Sequence, residues 1–223
     1  LGHAPTVVFD LIEKHDIQCE AVRAGNLHMA HSANGYRELV GRCEEWARRG
    51  APVEMLDRST AAEKTGTKIY HGAMLDRRAG TIQPLAYVRG LASAALKSGA
   101  KLFTQSTATA ISHDGERWTV KTPGGEVRAN RLLVATGGYG EGAEQARHST
   151  VPYFYFQCAT KPLSHNILPE ILPDKNGTWD THPVLKSFRL DAEGRLIFGS
   201  IGRFDGGGNL HKGWASRKMR GMF

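Results

Sequence analysis

Between Leu132 and Tyr139 the chain reads Leu-Leu-Val-Ala-Thr-Gly-Gly-Tyr, an apolar stretch ending on two adjacent glycines. This pattern predicts a buried strand whose exit lets main chain approach a bulky ligand, because glycine has no Cβ to hold the ligand away. Gly137-Gly138-Tyr139-Gly140-Glu141-Gly142 supplies glycines but not the G-x-G-x-x-G spacing of a dinucleotide pyrophosphate loop. Taken alone, the run reads as a strand-exit loop. His28 and His31 stand three apart with no third ligand nearby, so a surface or core placement is favoured over a metal site. Serine, histidine and aspartate are plentiful, but no G-x-S-x-G elbow organises a nucleophile, and no cysteine-centred site is legible.

The elements that must position these residues follow from periodicity. Val8, Leu11, Ile12 and His15 predict an amphipathic helix over the first sixteen residues. Val22 to Ala30 suits a strand with Gly25-Asn26 as a kink, and Tyr36, Leu39, Val40, Cys43 and Ala47 line a helix that stops near Gly50. Val53 to Leu56 is a short strand, Ser59 or Thr60 can cap a brief helix ending at Gly66, and Ile69 to Leu75 is strand-like. Pro84 opens the clearest helix, with Val88, Leu91, Ala92, Ala95 and Leu96 at helical spacing and Gly99 as its stop. Lys101–Gln105 and Thr107–Ser112 follow as β material. Turns are expected at Asp114-Gly115 and Pro123-Gly124-Gly125, with Val127 leading into the strand at Leu132. After Gly142 the texture becomes aromatic-rich antiparallel sheet: Val151–Thr160, then Ser187–Leu190 and Arg195–Ser200 around the turn Asp191–Gly194. Lys175 to Trp179 is expected as a connecting loop. One strand and helix feeding a meander suits a mixed α/β layer architecture.

Composition bounds the function. The 223 residues are 40% hydrophobic, enough for a real core of one or two domains. No window approaches the roughly 18 apolar residues of a membrane span, and no signal peptide is evident. Cys19, Cys43 and Cys158 are odd in number and widely spaced, which predicts reduced, mostly buried thiols in a cytoplasmic protein. The net charge of +7 raises nucleic acid as a partner, but the basic residues are dispersed and no recognition motif accompanies them. A solvated basic surface is the favoured reading. Neither Leu1 nor Met222-Phe223 reads as a natural terminus.

Four elements appear in order with a distinctive spacing: Gly80-Thr81-Ile82-Gln83-Pro84 opening a helix, the small-residue strand Ser106 to Ile111, the hairpin Val120 to Ala129, and the strand end Ala135 to Tyr139. Together they resemble the FAD-dependent amine and amino-acid oxidoreductases related to D-amino-acid oxidase. Phe188-Arg189-Leu190 and Gly194 to Gly199 resemble the substrate-sheet hairpin of that family. The resemblance covers most of the chain, is strongest from 78 to 139 and looser from 1 to 77. It is closest to the branch containing gamma-glutamylputrescine oxidase and glycine oxidase. It implies an α/β (α+β) fold: a helical and substrate-domain portion (1–77), a partial FAD-binding Rossmann-like domain (78–142) and an antiparallel β-sheet substrate domain (143–223).

Carried over by position, the resemblance implies that main chain at Thr107 and Ala108 holds the adenine, with Ala108 departing from the usual valine. It implies that Ala135, Thr136, Gly137 and Gly138 pass close to the ADP half of FAD. Tyr155, Gln157 and Arg203 become candidates to line a substrate pocket between flavin and sheet, Arg203 being able to pair a carboxylate bidentately. The implied reaction is hydride transfer from the C–H next to nitrogen of a small-molecule amine or amino acid, followed by imine hydrolysis. Three family parts are missing: the N-terminal G-x-G-x-x-G unit, the acidic residue for the ribose, and the C-terminal segment under the flavin ring. The chain is therefore expected to be an incomplete enzyme, inactive alone and prone to self-association through uncovered apolar surface. A non-catalytic interaction remnant of the same fold is the alternative, and a basic nucleic-acid-binding domain ranks last.

Overall fold

The computed structural model describes residues 2–137, 155–201 and 220–221. The chain forms two units, Leu1–Ala94 with Phe154–Phe223, and Ala95–Tyr153. In the first, helix α1 (Ala4–Lys14) carries Pro5 in its first turn, where a missing amide proton breaks no helical bond, and buries Phe9 and Ile12. Strand β1 (Asn26–Met29) follows a kink at Gly25, whose φ of +85° disfavours other residues. Helix α2 (Ala33–Arg48) starts at Ser32, whose Oγ accepts the Gly35 N–H at 3.1 Å, and buries Leu39 and Cys43. After β2 (Val53–Leu56), helix α3 (Arg58–Thr65) is capped by Asp57, not by Ser59 or Thr60. Asp57 has the extended backbone a cap requires, and its Oδ1 accepts the Thr60 N–H at 2.7 Å. Strand β3 (Ala73–Asp76) is shorter than the expected Ile69–Leu75, and α4 (Pro84–Lys97) matches its helical pattern.

The second unit holds a three-stranded meander of β4 (Ala110–His113), β5 (Trp118–Thr122) and β6 (Gly125–Ala129). Asp114 Oδ1 closes the first turn by accepting from the amides of Glu116 and Arg117 at 2.9 and 2.8 Å. The strands expected at 101–105 and 132–136 are not present. Leu102, Phe103, Leu133 and Val134 are exposed, Leu133 at 86%. A strand exists through its ladder, and among the described residues no neighbour pairs with either run.

Strands β7 (Tyr155–Pro162), β8 (Gly177–Asp180), β9 (Ser187–Leu190) and β10 (Arg195–Ile201) return to the first unit. They join its other strands in one sheet of order β2-β3-β1-β8-β9-β10-β7. Strand β8 corrects the loop expected at Lys175–Trp179. It pairs in parallel with β1, while every other pair in the sheet is antiparallel. One face carries Leu27, Leu75, Phe188, Leu196 and Phe198, closed by Ala61 of α3 with Tyr70, Ile171 and Leu172. On the other face, Leu39 and Cys43 of α2 pack on Ala30 and Met74. Cys19, Cys43 and Cys158 are free thiols, two buried and one half-buried. Among the described residues no helix is long and apolar enough to cross a membrane.

His28 shows how tightly the β1–β8 seam is built. Its ring stacks on Trp179, its register partner, at 3.6 Å and 11°. Burial and the nearby Arg42 guanidinium lower its pKa to about 4, against a smaller opposing pull from Asp180. The unfolded chain protonates this histidine first on acidification, so its contribution is complete above about pH 6.5 and declines as pH falls toward 4. Replacing His28 with Phe is expected to keep the stack and flatten the pH dependence of stability between pH 6.5 and 4. Urea unfolding across that range measures it, and an unchanged slope would remove His28 as the cause.

Candidate active-site cleft

Side chains alternate across a sheet, so burying Phe188, Phe198 and Leu27 on one face commits their neighbours to the other. Register then assembles a row: Gln157 opposite Gly199, Gly199 opposite Ser187, Ser187 opposite Trp179, and Trp179 opposite His28. A second row sets Ala159 opposite Ile197 and Ile197 opposite Arg189. Where these rows meet β1 there is a cleft of about 180 Å³, lined by Gln157, Ser187, Arg189, Ile197 and Gly199 and closed on the β1 side by Asn26, Thr81 and Gly177.

Two glycines make the space. A Cβ on Gly199 would collide with the Tyr155 ring, nearest its hydroxyl. A Cβ on Gly177 would come within 2.8 Å of both the Asn26 amide and the Thr81 methyl. Tyr155 is held across the sheet by a 2.7 Å hydrogen bond between its hydroxyl and Ser187 Oγ. Asn26, oriented to satisfy its neighbours, donates to the Gly177 carbonyl at 2.8 Å and accepts from Trp179 Nε1 at 2.5 Å. Cleft walls on both sides are thus fixed by side-chain hydrogen bonds, which favours a preformed pocket.

Charge is distributed unevenly. Among the lining residues Arg189 alone is ionic, and no described hydrogen bond or ion pair engages its guanidinium. Beyond β8, Asp180 is buried and accepts from His182 Nδ1 at 2.8 Å and from the amides of His182 and Lys186. The His182 ring stacks on His31 at 3.9 Å, and burial lowers the His31 pKa, helped by the charge of His182. His31 Nδ1 lies 2.7 Å from Thr181 Oγ1. His28 and His31 therefore serve packing in this structure, each in its own stacked pair.

Of the residues singled out for substrate contact, Gln157 lines the cleft and Tyr155 frames it from the same face. Arg203 and Gly138 lie outside the described residues. Thr107, Ala108, Ala135, Thr136 and Gly137 belong to the second unit, Ala108 half-buried and the others exposed. Among the described residues no main-chain hydrogen bond engages 132–137, and a Cβ on Gly137 would meet nothing within 4 Å. Open main-chain donors and acceptors on small residues form the donor set that the adenosine side of FAD requires, so these residues fit that part of the cofactor. Asn26, Ser187, Arg189 and Gly199 were not among the expected site residues, although Arg189 and Gly199 lie in the segments that resemble the family's substrate-sheet hairpin. Their signal was strict alternation with Leu27, Phe188 and Phe198, which identifies a face but not what lies on it.

Comparison with known proteins places this chain in a family. The chain is 32% identical over 200 residues to the "Probable oxidoreductase OrdL" of Rhizobium meliloti, covering 88% of this chain and 46% of that protein. It is 28% identical over 196 residues to the gamma-glutamylputrescine oxidoreductase of Escherichia coli, covering 86% and 46%. Its fold matches the crystal structure of glycine oxidase from Geobacillus kaustophilus with a TM-score of 0.69 at 19% identity, over 91% of this chain and 55% of that one. The chain thus spans about half the length of the curated relatives it matches. Residues 3–218 match the family described as DAO, FAD dependent oxidoreductase, and the chain belongs to that family.

Proposed function

We propose that this chain supplies the substrate face, and through residues 78–142 part of the flavin-holding domain, of an enzyme that oxidises a small-molecule amine or amino acid. The observation that carries the reading is the cleft between Gln157, Ser187, Arg189 and Asn26 on the open face of the sheet. Bound FAD would supply the two-electron acceptor for a hydride from the carbon bearing the nitrogen, and the resulting imine would hydrolyse in water. Main chain at Thr107, Ala108, Ala135, Thr136, Gly137 and Gly138 would hold the adenosine side. The protein's part in the chemistry is orientation: Gln157 offers a neutral amide to the substrate, and the Tyr155–Ser187 pair keeps the wall from collapsing over Gly199. Three free thiols support a reducing, cytoplasmic setting.

Three outcomes follow. The full-length protein containing this chain is expected to retain a visible flavin band through desalting, and this chain by itself to lose added FAD. A colourless full-length protein would leave the non-catalytic reading standing. Gln157→Ala in the full-length protein is expected to lower kcat/KM by about tenfold, the cost of one neutral hydrogen bond, with the flavin spectrum unchanged. Unaltered kinetics would remove Gln157 from the site. The exposed Leu102, Phe103, Leu133 and Val134 support self-association of the chain expressed alone. Light scattering tests this, and a strictly monomeric species would contradict it.

A further inference from the structure

We propose that the stacked rings of His31 and His182 form an acid-sensitive latch across the β1–β8 seam, holding the turn 181–186 against β1 until both rings carry a proton. The turn is held by hydrogen bonds that meet at Thr181 and Asp180. The Thr181 amide donates to the Met29 carbonyl at 3.0 Å, and the His31 amide donates to Thr181 Oγ1 at 3.1 Å. Asp180 Oδ1 accepts from the amides of His182 and Lys186 at 3.2 and 3.0 Å, while its Oδ2 accepts from His182 Nδ1 at 2.8 Å. The His31 ring, its Nδ1 2.7 Å from Thr181 Oγ1, lies 3.9 Å from the His182 ring. A latch of this kind does not depend on what the cleft binds.

The charges around the pair set its response to acid. Asp180, its side chain fully buried, is the one carboxylate acting on His31. Lys186 faces His31 from the far end of the turn, and His71 approaches beside Ala30, whose carbonyl accepts the His71 amide at 2.9 Å. His28, with Arg42 beside it, and the neutral Tyr70 phenol also feel the Asp180 charge. One proton on the pair is therefore balanced by Asp180. A second meets no further carboxylate and sets like charges on rings 3.9 Å apart, with Lys186 nearby. Burial, helped by the charges of His182, Lys186 and His71 and opposed by Asp180, lowers the His31 pKa. Opening the turn separates the rings and returns His31 toward the ordinary value of 6.5. The open form thus takes up the proton first as pH falls, so the closed turn is fully favoured above about pH 6.5 and loses ground below it. Trp179 immediately precedes Asp180 and its Nε1 donates to Asn26, so a loosened turn reaches the β1-side wall of the cleft.

Hydrogen exchange on the full-length protein, read on peptides spanning 178–188 and corrected for the intrinsic rate at each pH, tests the latch locally. Between about pH 7.5 and about pH 5.5 the amides of Thr181, His182 and Lys186 are expected to lose about tenfold or more of their protection, while the β9–β10 ladder keeps its own. His31→Phe keeps a flat ring over His182 and removes its charge, so the closed turn should persist and its pH dependence should disappear. His28→Phe is expected to leave the pH dependence of the turn in place, which separates the latch from the acid response of the His28 stack. Protection that does not change with pH in the wild type, or an equal loss in His31→Phe, overturns the proposal. Loss of the effect in His28→Phe overturns it too, by assigning the response to the other stack. Should His31→Phe fail to fold, the wild-type imidazole resonances decide the matter by NMR. Coupled titration of His31 and His182 supports the latch, and two independent single-step titrations overturn it.

Discussion

The parallel pairing of β1 with β8 is the interaction on which the rest of the first unit depends. It joins segments about 150 positions apart through the registers Asn26–Gly177 to Met29–Asp180. Without it, β2-β3-β1 and β8-β9-β10-β7 would be two small sheets, each with an exposed edge in place of the seam. Side chains lock the seam as firmly as the ladder does. His28 stacks on Trp179, Asn26 bridges Gly177 and Trp179, the Asn176 amide donates to the Ala24 carbonyl at 2.5 Å, and Thr181 bonds His31. Polar groups buried there are worth keeping only where they are satisfied, and nearly all are. Asn176 Oδ1 and the Tyr70 hydroxyl are the buried side-chain atoms without a hydrogen-bond partner among the described residues. Burial, with the neighbouring Asp180 charge adding to it, raises the Tyr70 pKa and keeps that phenol neutral.

The cleft is a by-product of this core. Filling one face with Phe188, Phe198, Leu196, Leu27 and Leu75 determines which residues the opposite face receives. Helix α2 covers that opposite face where Leu39 and Cys43 meet Ala30 and Met74. Farther along, the row from Trp179 to Gln157 carries Ser187 and Gly199, and the missing Cβ of Gly199 leaves room for the Tyr155 ring. A one-residue slip of β9 or β10 would put Arg189 into the core and Phe188 into the cleft, so packing energy enforces the chemistry of the site.

The second unit behaves differently. Its meander is held by ladder bonds and by the Asp114 turn, but among the described residues the apolar runs on either side of it have no ladder. Leu133 is exposed, and among the described residues no main-chain hydrogen bond engages 135–137.

Local signals alone specified α2 and α4, the turns at Asp114 and Asp191, the stop at Gly66 and strands β2, β9 and β10. Caps, glycines at positive φ and short-range periodicity act within a few residues, so they are readable without knowing the fold. The ordered motifs from Gly80 to Tyr139 also carried the family, since motif order survives where identity falls. Tertiary structure decided the rest. Gly177-Thr178-Trp179-Asp180 is too short and too mixed to announce a central strand, and it becomes one because β1 offers a ladder. Lys101–Gln105 and Leu132–Ala135 have the composition of strands and are not strands, and among the described residues neither has a pairing partner. The sequence by itself determined which residues alternate; only the assembled sheet decided that Arg189, Ser187 and Gln157 share a cleft, because that depends on neighbours brought from distant parts of the chain.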